Sequence, residues 1–382
     1  MKKQLLRKIL LNVVMGGVLL LPNLPATGVE AADFKYKVDD GAEQTWDGSS
    51  DLIGTGTKLE VWGEGAESDN DVYGGYGSGS VTISGKTVIF NSGKVWYVYG
   101  GYSDSGEVSE NAVTINGGMI NYTVYGGYSE SGEVSENTVT INGGTIDGYV
   151  YGGRSYGDGE VCGNTLTING GTIDIVYGGY GNGNGKVNGN TLIISDGTNC
   201  SSAYGGYSWN NGEVSGNTVT ISGGMIDNVY GGCSWNNGEV SGNTVTITDG
   251  TIGYDVLGGY GRGDGEVSEN TVTISGGTID GSVNGGYSSG DGEVSGNMVI
   301  ITNGTIGNDV FGGYSDEGGK VSGNTVKISG GVIDNDNHDN DIYGGYGYYD
   351  GDVSENTVII TNGTIADDVY GGYCEENGKV SG

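Results

Sequence analysis

Residues 124–146 read VYGGYSESGEVSENTVTINGGTI, and near-copies of this stretch recur along almost the whole chain. The local pattern is clearest in Asn217-Thr-Val-Thr-Ile221, where residues 217, 219 and 221 share one face and the threonines point the other way. A period of two is that of a strand, and no segment beyond residue 31 has a helical period. The apolar spacings around this strand are odd: five from Val214 to Val219, five from Ile221 to Ile226 and three from Ile226 to Val229, the first two spanning glycines. Residues an odd number apart face one core only where the strand bends or bulges. Each copy therefore turns about three corners and closes on itself.

The first glycine of the Val-Tyr-Gly-Gly-Tyr motif or its variants falls at 74, 100, 126, 152, 178, 205, 231, 258, 285, 312, 344 and 371, at intervals of 26 or 27 residues except one of 32. A fixed period of this size marks a solenoid, propeller or array. It is too short for a four-stranded blade, which needs roughly 40 residues. The fold expected is all-β: a right-handed parallel β-helix of about twelve rungs, its hand following the usual rule for parallel crossovers. Eleven steps of ~4.8 Å make a rod of about 50 Å. Val124, Val134, Val139, Ile141 and Ile146 are assigned to a shared interior, as are Val150, Val161, Leu166, Ile168 and Ile173 in the next rung. Asn137 has the inward phase of Val139. Its counterparts Asn111, Asn164, Asn190, Asn217, Asn243, Asn270, Asn297, Asn324 and Asn356 predict an axial amide ladder. A buried amide without such a partner is costly, so the ladder pins the register. Glycines supply the positive φ at corners.

Around this body the domains are read as 1–31, a signal peptide; 32–72, an N-terminal cap with Trp46, Leu59, Val61 and Trp62 closing the core; and 73–382, the repeat domain. The leader has a basic head (Lys2, Lys3, Arg7, Lys8), an apolar run from Ile9 to Leu21, then Pro22 and Pro25, with small residues placed for cleavage after Ala31. The run is short for a membrane span. Those two prolines are the only ones, so the body keeps every backbone N–H for pairing. The formal charge is −33, and −36 once the leader's four cations and Glu30 are removed. Such a surface repels nucleic acid and anionic membrane.

Tyr99, Tyr125, Tyr151, Tyr177, Tyr204 and Tyr230 precede Gly-Gly pairs, and a second tyrosine follows most pairs. The column has two readings: rings that bind sugars or partner chains, or rings that stack on one another and shield the sheet. A charged column runs Glu107, Glu133, Glu160, Lys186, Glu213, Glu239, Glu266, Glu293, Lys320, Asp352 and Lys379, where loosely bound calcium would damp repulsion. The 32-residue interval carries an acidic insertion whose Asp334, Asp336, Asp339 and Asp341 are weak metal candidates, without the glycine and closing glutamate of an EF-hand loop. Otherwise no cofactor is indicated. Cys162, Cys200, Cys233 and Cys374 occupy different repeat positions and read as mostly unpaired, a Cys200–Cys233 bridge staying open. Arg262-Gly263-Asp264 at a turn is a tripeptide that such a composition produces easily. No catalytic cluster stands out, although abundant carboxylates leave acid–base glycosidase chemistry open.

The leader, the Gly/Asn/Thr/Val/Ile repeat without proline or a cysteine framework, and the acidic surface resemble the passenger domains of Gram-negative autotransporter adhesins. The asparagine ladder is similar to that of pectate-lyase-like β-helices. The resemblance covers residues 73–382 in repeat character rather than in a signature motif. It implies an adhesin displayed at the cell surface or outer membrane, or secreted, binding host or bacterial surface glycans or proteins. The repeat region would not insert into membrane. Translocation would use a C-terminal β-barrel, which this chain does not contain; it stops in mid-rung at Lys379-Val-Ser-Gly382, read as the end of a fragment. The rival expectations are a polysaccharide-active β-helix enzyme and a passive surface spacer.

Overall fold

The computed structural model describes residues 33–334 and 340–382. The regular elements among them are all strands, wound into a parallel β-solenoid of about 12 turns. One coil shows the logic. Val134–Ser135, Thr138–Ile141 and Thr145–Ser155 pair in parallel with Val161–Cys162, Thr165–Ile168 and Gly171–Gly181 of the next coil. Partners are like on like: Val139 on Leu166, Ile141 on Ile168, Tyr151 on Tyr177. Corners are often bends inside strands rather than loops. Thr218–Ser234 runs unbroken through two of them, with register shifts on either side of Ser222.

Parallel pairing begins before residue 73. Leu52–Ile53 pairs in parallel with Val72–Gly77, and Lys58–Trp62 with Thr87–Phe90. The antiparallel element is Phe34–Val38, which pairs with Gln44–Trp46 and Lys58–Trp62. Trp46, Leu59 and Val61 are buried as expected, and Phe34 is buried with them, its ring 4.8 Å from that of Trp46. Trp62 differs. It is half-buried under the Lys37 ammonium, 5.6 Å from its ring centre, because its neighbour Val61 takes the inward position and a strand alternates faces.

The interior is divided, which corrects the single shared core assigned from the sequence. Val139, Ile141, Ile146 and Val150 columns form the main apolar cluster. The column of Val161, Val187, Val214 and their successors is a separate one. Beside it run the asparagine amides, buried from Asn111 to Asn324, with Asn356 half-buried. Each amide from Asn111 to Asn324 is saturated in the same way. Asn137 Nδ2 donates to Asn164 Oδ1 at 2.9 Å in the next coil and to the Val108 carbonyl at 3.0 Å in the coil before, while its backbone N–H donates to the same Asn164 Oδ1 at 3.0 Å. Three coils are tied at one point, and a polar stripe separates two apolar ones at no desolvation penalty because every donor has an acceptor.

Just before each asparagine the chain turns through the left-handed region. Glycine occupies this corner in most coils, as at Gly163 (φ 64°) and Gly216 (φ 63°), but glutamate stands there at Glu110, Glu136, Glu269 and Glu355, with φ between 55° and 58°. A left-handed residue with a Cβ costs about 1–2 kcal/mol, against about 0.4–1 kcal/mol for the extra freedom glycine gives the unfolded chain. Glu136→Gly should therefore stabilise by about 0.5–1 kcal/mol, read as a higher urea midpoint with an unchanged slope. A lowered midpoint would contradict this account of the corner.

Candidate binding face

Two outward columns flank the Gly-Gly bend. In the first, Tyr73, Tyr99, Tyr125, Tyr151, Tyr177, Tyr204 and Tyr230 stack with centroids 4.6–5.2 Å apart and planes within 4–12° of parallel. The spacing is that of parallel strands, so like-on-like register creates the ring stack without further design. In the second, Tyr76, Tyr102 and Tyr128 stack similarly and meet the first edge-on, as Tyr125 and Tyr128 do at 5.2 Å and 71°. Both geometries are favoured by the ring quadrupole.

The residues singled out from the sequence, Tyr99, Tyr125, Tyr151, Tyr177, Tyr204 and Tyr230, thus come together in one column, but their faces cover one another. Tyr125 and Tyr151 are only 5% and 4% exposed, whereas Tyr204 and Tyr230 are half-buried. Burial pushes the Tyr128 phenol up to about 12 and raises Tyr99, Tyr125 and Tyr151 as well, so these hydroxyls stay protonated at neutral pH. The exposed rings are Tyr76, at the head of the second column, and, outside both columns, Tyr122, Tyr149, Tyr156, Trp209, Tyr254 and Tyr349. Outside the columns any recurrence is short, as from Trp209 to the Trp235 ring stacked on it one coil on, which is why sequence reasoning passed over these rings. It also passed over the buried Ser103, Ser129 and Ser155 column. Ser129 Oγ donates to the Gly106 carbonyl and accepts from the Gly132 N–H at 2.8 Å, tethering the following loop.

Arg154 takes a tyrosine's place in the second column. Its guanidinium lies 5.1 Å from the ring centres of both Tyr151 and Tyr180, and Nη1 donates to the Tyr125 hydroxyl at 3.2 Å. It lines two open cavities among the rings, of about 470 and 410 Å³. At the near end of the first column the Asp71 carboxylate is half-buried. One oxygen accepts from the Tyr73 hydroxyl at 3.0 Å, the other has no partner, and burial lifts its pKa to about 6. A folded pKa above the unfolded one means the folded state binds the extra proton, so this group's contribution falls as pH rises from about 4 to 6. Asp71→Asn should be nearly neutral at pH 4 and stabilising at pH 7 by about 1 kcal/mol after discounting for solvent screening. Thermal melts at the two pH values check it; an equal shift at both contradicts it.

Along the charged column, Lys186 meets Glu213 at 2.6 Å and Lys320 meets Glu293 at 3.0 Å, lowering both glutamates through those hydrogen bonds. Among the described residues no group of three His, Cys, Asp or Glu side chains is placed to hold a metal ion. Of the four weak candidates, Asp336 and Asp339 lie outside the described residues. Asp334 is exposed. The Asp341 carboxylate is engaged, accepting from the Tyr343 hydroxyl at 2.6 Å and the Asp368 N–H at 3.0 Å. All four cysteines are free. Register puts Cys200 in an isoleucine column and Cys233 in the second tyrosine column, so the two face different sides of the wall. Arg262 lies over the Trp235 ring at 4.1 Å.

These features define a parallel β-solenoid repeat protein with a tyrosine-ribbed face. Comparison with known proteins finds no match: no family model, no curated protein and no solved structure.

Proposed function

We propose that this chain is an exported, adhesin-like structural repeat protein of the autotransporter-passenger type, acting at the cell surface or outer membrane or released from it. It presents its tyrosine-ribbed, acidic face to host or bacterial surface glycans or proteins. A β-barrel translocator is the partner this export route requires. The role is one of contact rather than catalysis, and calcium held loosely along the acidic rows is the only ion it calls for. One observation carries the reading: stacked tyrosine rings line one face coil after coil, flanked by exposed aromatic residues and open cavities. Such amphipathic surfaces suit ring-shaped or peptide ligands.

The test is binding of the purified chain to arrays of glycans and matrix proteins. Because the stacked tyrosines are buried, the informative variant changes exposed rings: Tyr122→Ser, Tyr149→Ser and Trp209→Ser combined, with melting checked. At least tenfold weaker capture is expected. Capture unchanged by the triple variant, or none by the parent, counts against an adhesive face and favours a spacer.

A further inference from the structure

The first tyrosine column breaks once. After Tyr230 the next two coils carry Leu257 and Asn284, and rings resume at Phe311. The second column continues past the break through Tyr260, Tyr287 and Tyr314, which stack on one another. The missing rings leave a cavity of about 330 Å³, walled by Tyr230, Tyr260, Tyr287 and Phe311, with Asn284 and Asp255 among its lining groups. Asn284 is 94% buried by its 6% exposure, and its Oδ1 has no hydrogen-bond partner. A buried acceptor left unmade costs free energy that a ligand's donor recovers. The Asp255 carboxylate is held in place by the Ser282 N–H at 2.8 Å.

We propose that this gap binds an alkylguanidinium, a flat organic cation with N–H donors. The molecule contains its own precedent: the same double column encloses the Arg154 guanidinium among Tyr128, Tyr151 and Tyr180, with an N–H on a neighbouring hydroxyl. Electron-rich ring faces attract a cation. Asp255 and a chain of formal charge −33 add to that attraction. The unpartnered Oδ1 selects a cation that donates, so a guanidinium is favoured over a quaternary ammonium. A neutral sugar supplies donors but draws nothing from the carboxylate or the ring quadrupoles.

The test is calorimetric titration of the full chain with butylguanidinium, with butylurea as its neutral isostere and glucose as a neutral ring. Saturable 1:1 binding of butylguanidinium is expected, at least tenfold tighter than butylurea or glucose. Asn284→Tyr, which restores one of the two missing rings and should not lower the melting temperature, is expected to weaken it at least tenfold. Asn284→Leu, which removes the amide at nearly constant size, and Asp255→Asn should each weaken it several-fold. Butylurea or glucose binding as tightly, binding that survives Asn284→Tyr, or no saturable binding would overturn the proposal. None of these outcomes bears on capture by the exposed rings, so this site and the adhesive face stand or fall separately.

Discussion

Asn137→Ala should destabilise the solenoid by about 3–5 kcal/mol, because the loss is not one hydrogen bond but an opened joint between three coils. Asn137 Oδ1 accepts both the backbone N–H and the side-chain N–H of Asn111, each at 3.0 Å. Its own Nδ2 serves Asn164 and the Val108 carbonyl. Truncation leaves the Asn111 N–H without its acceptor, removes the amide donor from the Val108 carbonyl, and halves the partners of Asn111 Nδ2, which keeps the Ile83 carbonyl, and of Asn164 Oδ1, which keeps the residue-137 N–H; in a stripe that water does not reach each unsatisfied group costs about 1–3 kcal/mol before relaxation. Asn137→Asp should be worse at pH 7, since a carboxylate would face the Val108 carbonyl and Asn164 Oδ1. That placement raises its folded pKa, so the extra loss fades as pH falls. Chemical denaturation of the two variants at pH 7 and pH 4 reads both effects. A cost for Asn137→Ala below about 1 kcal/mol, the range of an ordinary exposed substitution, would mean the ladder does not hold the coils together.

Gly127→Ala should cost about 3 kcal/mol or more, at the upper end for overpacking. An added Cβ would lie 2.5 Å from Asn137 Nδ2 and 2.8 Å from its Cγ. The amide cannot yield, because moving it breaks its bonds to the coils on both sides. The same geometry predicts non-additivity. In an Asn137→Ala background the offending atoms are gone, and Gly127→Ala should cost less than about 1 kcal/mol, a coupling of about 2 kcal/mol. Additive costs would show that the glycine is required for its own backbone and not for the asparagine beside it.

These two residues also show what could be read in the chain before its shape was known. The asparagine's inward phase follows from Asn137-x-Val139-x-Ile141, and stacking follows from the 26- to 27-residue period, so both the ladder and the parallel solenoid were legible. Hidden was the meaning of position: Val161 and Leu166 look equivalent as inward apolar residues, yet the corner at Gly163 sends them into different clusters. Periodicity reports that a residue faces in, not which compartment it enters. The tyrosine columns were equally visible, but their burial was not, because exposure depends on the distance to the ring one coil away rather than on sequence spacing. Asn284 stands in the sequence where most copies have tyrosine. Its significance needed the walls that Tyr260, Tyr287 and Phe311 build around it.

Everything here rests on copies stacked in parallel and in register, and spin-label distances along one outer column test that most directly. Thr140, Thr246 and Lys327 belong to a single column, four and then three further coils apart. With the native cysteines replaced, pulsed dipolar spectroscopy on labels at 140 and 246, then at 140 and 327, should give distances of about 19 and 34 Å, a difference of about 14 Å for three steps of ~4.8 Å. A difference far from that value, or a broad distribution without a defined maximum, would contradict in-register stacking and the functional reading built on it.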